Sequence, residues 1–112
     1  MGADEVKYWI GFSLIPGIGR AKFSLLENYF GDLGRAWHAS INELKTAGLD
    51  AKSAESILTN RPRISLDAEL EKLERYKVKA ITWNDPAYPS RLKQIDDCPP
   101  LIYIRGSLSP ED

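Results

Sequence analysis

One short segment of this chain combines residue types and spacing that could do chemistry: Leu14-Ile15-Pro16-Gly17-Ile18-Gly19-Arg20-Ala21-Lys22, with helix-forming sequence on both sides. It has the form of a helix-hairpin-helix turn. Gly17 and Gly19 can take positive φ and admit another backbone closely, and Ile18 between them can point into the helix pair as an anchor. Such a turn presents backbone N–H groups at the start of the second helix, where the helix dipole favours an anion. A DNA phosphate is the natural occupant. Arg20 and Lys22 fall in that helix's first turn, where the dipole disfavours cations, so they point to a negative group outside the chain. The site expected from sequence is therefore a phosphate-binding hairpin of Gly17, Ile18, Gly19, Arg20 and Lys22, holding DNA without reading its sequence. The plainer alternative is a tight connection between two packed helices. Glu27 and Asp32 lie near the same helix and weaken the field, so binding by this hairpin is expected to be weak, with a shallow salt dependence.

Other chemistries are poorly supplied. One histidine and one cysteine, His38 and Cys98, stand sixty residues apart with no third group indicated, so nucleophile-and-base catalysis has no constellation to use. We expect no enzyme. A single cysteine excludes an internal disulfide and a cysteine-rich zinc site, and no cofactor or metal is expected. Gly17-Ile18-Gly19 lacks the third glycine of a dinucleotide loop and follows a helix. Trp83, Tyr88 and Tyr103 could stack on bases, but the strands and prolines around them favour core packing. A degenerate second turn, Ala47-Gly48-Leu49-Asp50 followed by Lys52, reads as structural pairing of two helical hairpins, since Asp50 repels phosphate.

The elements that must position the hairpin follow from caps and periodicity. Asp4 is expected to cap a first helix carrying Val6, Trp9 and Ile10, with Leu14 at its end. The second helix starts near Gly19, carries Phe23, Leu26 and Phe30, and stops at Gly31. A helical turn spans Leu33 to Trp37. Ser40 and Glu43 have capping-box spacing for a helix that closes at Gly48, and Asp50 caps another through Ala54, Ile57 and Leu58. After Pro62, Ser65 opens a longer amphipathic helix with Leu66, Leu70 and Leu73 on one face. Its charges, Asp67 to Arg75, read as a solvated face. A strand is expected from Val78 to Trp83, a short helix after Pro89 through Leu92 and Ile95, and a second strand from Leu101 to Ile104.

The halves differ in build. Seven of eight glycines precede Leu49 and five of seven prolines follow Asp85, whereas charge is balanced on both sides of Asn60. Fifteen Lys and Arg against sixteen Asp and Glu, a net charge of -1, disfavour a protein that grips nucleic acid by bulk charge. The hydrophobic share of 43% supports a packed core. The acidic N-terminus is unlike a signal peptide, and no run approaches the roughly 20 apolar residues of a membrane span, so a soluble cytoplasmic protein is expected.

The order of these motifs resembles the front part of the DNA-processing protein A (DprA/Smf) family. The resemblance runs from the Tyr8-Trp9-Ile10 opening through the hairpin to Thr82-Trp83-Asn84-Asp85-Pro86-Ala87-Tyr88-Pro89, Pro99-Pro100 and Leu101-Ile102-Tyr103-Ile104-Arg105-Gly106. It implies an α+β chain: a helical helix-hairpin-helix or SAM-like domain over residues 1–61, a connecting helix over 62–77, and over 78–112 the opening of an incomplete Rossmann-like α/β domain. It further implies a DNA-binding accessory protein of natural transformation that protects incoming single-stranded DNA and loads a RecA-type recombinase. Homodimerisation would use the missing core. The family's Gly-Ser-Arg strand end and Ser-x-Tyr-Gly loop have no counterpart here, so only the hairpin residues carry over as a site. A SAM-like protein-interaction domain without direct DNA contact is the alternative.

Overall fold

The computed structural model describes residues 3–94 and 98–105. Among these, seven α-helices precede and flank a two-stranded sheet: α1 Ala3–Ser13, α2 Arg20–Phe30, α3 Leu33–Trp37, α4 Ile41–Thr46, α5 Ala51–Asn60, α6 Leu66–Arg75, β1 Val78–Thr82, α7 Ser90–Lys93 and β2 Leu101–Arg105. A 3-10 turn over Arg61–Arg63, with Pro62 near its start, separates α5 from α6. The chain is thus α+β.

Side-chain caps set most of the helix starts. Asp32 accepts from the amide of Arg35, Asp50 from that of Ser53, and Ser65 from that of Ala68. Ser40 and Glu43 form the full reciprocal capping box at α4, as their spacing requires. The first helix differs from expectation. It begins at Ala3, so Asp4 lies within it and not ahead of it. Its packed face is Trp9, Ile10 and Phe12, continued by Ile15, while Leu14 is 47% exposed. Phe12 is buried because it shares a helical stripe with Trp9.

These residues join Phe23, Leu26, Leu33, Trp37, Leu44, Leu49, Ala54 and Ile57 in one buried cluster that extends to Leu101. Aromatic rings dominate its centre: Phe12 meets Trp37 edge-on at 5.1 Å and Trp9 stacks on Phe23 at 5.5 Å. At Gly11 a Cβ would lie 2.7 Å from Leu66 and from the Trp37 ring, so the missing side chain is what lets α6 close on α1. The Leu66, Leu70 and Leu73 face of α6 packs against the cluster. Its opposite face holds exposed intrahelical pairs, Lys72 with Glu69 and Arg75 with Glu71, consistent with a solvated surface.

The strands pair antiparallel, with Val78 opposite Arg105 and Thr82 opposite Leu101. A parallel βαβ unit is therefore not what residues 78–105 build. Ile81 and Leu101 are buried, and Trp83 extends the pairing through its amide to the Pro100 carbonyl. Tyr88 is buried, and its hydroxyl donates to the Pro99 carbonyl at 2.7 Å. Burial, with Cys98 beside it, raises the phenol above its ordinary value. Tyr103, expected in the core, is instead 50% exposed on the sheet. The short helix after Pro89 is present as α7, and Ile95, like Gly106, lies outside the described residues.

Candidate nucleic-acid interface

The hairpin is held from below by its apolar residues and left open above. Ile15 and Ile18 are 2% and 7% exposed and bracket the turn, with the Ile18 amide donating to the Ile15 carbonyl at 3.3 Å. The Ser56 hydroxyl on α5 donates to the Pro16 carbonyl at 3.0 Å, tying the turn to a helix forty residues away. Ile18 is thus an anchor, as its position between the glycines suggests. The glycines themselves differ. Gly17 has φ +88, whereas Gly19 has φ -99 and ψ -170, extended backbone that any residue adopts. A positive φ is therefore required at Gly17 alone. A Cβ at either would meet nothing within 4 Å, so among the described residues no element approaches them closely.

Gly19 is the N-cap of α2 and supplies no side-chain hydrogen bond to it, unlike the caps of α3, α4, α5 and α6. No acid stands in the first turn of α2. Arg20 there is exposed and Lys22 half-buried. The structure thus brings Gly17, Gly19, Arg20 and Lys22 to one exposed end of α2, while Ile18 points inward.

The second turn sits alongside the first. Gly48 has φ +117, and a Cβ there would lie 3.2 Å from the Leu25 side chain on α2. Ala47 and Leu49 are buried. The Ser53 hydroxyl donates to Asp50 at 2.6 Å, which lowers the carboxyl's pKa, and the charge of Lys22 adds to the effect. The two hairpins are therefore structurally paired, with Asp50 of one within the electrostatic reach of Lys22 of the other.

The acids expected to weaken the hairpin are engaged elsewhere. Glu27 accepts from the Trp83 indole at 3.1 Å and from the Asn84 amide, which fastens α2 to the end of β1. Trp83, half-buried, also meets Trp9 edge-on and packs against the core. Asp32 caps α3 and pairs with Arg35. The Glu27 to Trp83 link spans 56 residues, and no local pattern announces it. His38 is exposed, edge-on to Tyr8. Arg61 reaches the Trp37 carbonyl at 2.7 Å, and burial lowers its pKa.

A groove of about 910 Å³ lies away from the hairpin, between β1, α6 and the α2–α3 corner. Four acids, Glu27, Asp32, Glu74 and Asp85, line it with one cation, Lys79, a net negative set unsuited to a phosphate. Among the described residues no group of three or more His, Cys, Asp or Glu could hold a metal ion, and no helix is long and apolar enough to cross a membrane.

No family model and no solved structure matches the chain. A curated relative does: Protein Smf of Synechocystis sp., 30% identical over 109 residues. The match covers 96% of this chain and 27% of the relative, so the chain spans about a quarter of that protein's length. At 30% identity over nearly its whole length, the chain belongs to the DprA/Smf family.

Proposed function

We propose that this chain is part of a DNA-binding accessory protein of natural transformation and recombination, and that its own contribution is weak, non-specific phosphate contact through the hairpin. The observation that carries the reading is the open start of α2. Among the described residues nothing would meet a Cβ on Gly17 or Gly19, α2 lacks a side-chain cap, and Arg20 and Lys22 lie in its first turn. Backbone N–H groups and the helix dipole favour an anion there, and cations in a first turn are stabilised by one. DNA supplies that anion as a regular series of phosphates.

In this reading residues 1–61 form the helical domain, 62–77 connect, and 78–112 open a Rossmann-like domain. Protection of single-stranded DNA, delivery of a RecA-type recombinase and dimerisation are proposed for the full-length protein and not for this segment alone. A cytoplasmic, non-enzymatic role accompanies the reading. The test is a titration of the 112-residue chain with labelled single- and double-stranded oligonucleotides at low salt. Contact with about two phosphates gives a log–log salt slope near -1.4 on single strands. Combined Gly17→Ala and Lys22→Ala should abolish binding; unchanged affinity would exclude the hairpin as the contact.

A further inference from the structure

At the other end of α2 lies a second, smaller cleft of about 410 Å³, formed by Tyr29, Phe30, Arg35, His38, Ala39 and Glu43. Its aromatic wall is preassembled. Tyr29 is 50% exposed and held edge-on against Phe30 at 4.9 Å and 81°. The Arg35 side chain is 78% exposed, its guanidinium 3.8 Å from Asp32, an exposed pair that costs little to open. Glu43 is occupied by the capping box, its Oε1 accepting from the Ser40 amide at 3.1 Å. An exposed ring beside an exposed guanidinium and an imidazole suits a flat, π-faced group that carries a negative charge nearby.

The cleft is in line with the hairpin. Residues 22 and 29 of a helix are seven apart and fall on the same face, so Tyr29 stands on the stripe of α2 that begins with Lys22. Seven residues rise about 10 Å along the axis, the run of about three stacked nucleotides at 3.4 Å each. We infer that the Tyr29 cleft takes an unpaired nucleobase of a single strand whose phosphate sits at the hairpin. This makes the interface a single-strand reader and not a phosphate clamp alone; it rests on the hairpin reading above and adds base stacking to it.

The test compares the full chain's affinity for a short oligo-dT with its affinity for an abasic oligonucleotide of the same length. The two carry the same phosphates, and only the first carries bases. Stacking on one aromatic ring gives on the order of a tenfold preference for oligo-dT. Tyr29→Phe should keep that preference and Tyr29→Ala should remove it, while Lys22→Ala weakens both oligonucleotides by the same factor. A preference that survives Tyr29→Ala overturns the cleft and leaves the hairpin standing. Equal wild-type affinity for the two oligonucleotides also overturns the cleft alone. Failure of the wild-type chain to bind either one overturns the cleft and the hairpin together.

Discussion

The two hairpin turns of this chain are built from similar residues and used in opposite ways. Around Gly17 the backbone turns with positive φ into open space, and α2 starts without a side-chain cap. Around Gly48 the backbone also turns with positive φ, but Leu25 covers it, Ala47 and Leu49 are buried, and Asp50 caps α5. The second turn satisfies its backbone groups within the fold. The first has no side chain capping its helix start. The difference separates a turn that the fold covers from one that it leaves open, although both read as glycine-bearing connections between helices.

That contrast can be broken by substitution. Gly48→Ala should have the largest effect, about 2 kcal/mol of lost stability, because left-handed strain adds to the crowding against Leu25; urea denaturation measures it. Gly17→Ala should cost about 1 kcal/mol, from backbone strain alone, since nothing surrounds the new Cβ. Equal losses at the two positions would erase the distinction between a plugged and an open turn.

Acid sharpens the comparison further. Asp50 titrates below its ordinary value of 3.8, held ionised by the Ser53 hydroxyl and helped by Lys22. Its folded pKa is depressed, so its contribution is fully present above the unfolded value and is lost as pH falls through the folded one. Asp50→Asn keeps a capping oxygen and removes the charge. The variant's melting temperature should therefore fall less steeply than the wild type's below about pH 4, as thermal melts across that range would record. Identical acid profiles would show that Asp50 carries no such linkage.

The smallest stability effect belongs to Gly19→Ala, within about 0.5 kcal/mol of wild type, because its φ of -99 suits any residue and its Cβ would meet nothing. Binding is where this substitution should register. A methyl group on the open face of the turn would weaken oligonucleotide affinity severalfold without altering the melting curve. A large loss of stability instead would mean that the glycine serves the fold.

Much of this was legible in local sequence. Ser40 with Glu43, Asp50, Ser65 and Gly31 mark helix ends, because capping uses atoms within three residues of the boundary and needs no distant partner. The hairpin was visible for the same reason. Burial of Phe12 and Ile15 beside an exposed Leu14 was not legible, because neighbouring apolar positions at a helix end are separated only by what the helix packs against. Tyr103 shows the same limit: alternation assigns faces to a strand but does not say which positions are covered.

The sequence by itself determined the helices, the turn chemistry and the even charge that keeps this chain from gripping DNA by bulk electrostatics, since each depends on residue type and near neighbours. Only the tertiary structure decided which glycine turn is open and which is plugged by Leu25, that Glu27 is turned toward Trp83 and Asn84, and that β1 and β2 run antiparallel. Those outcomes rest on contacts between residues tens of positions apart, set by how one shared core closes around Trp9, Phe12 and Phe23.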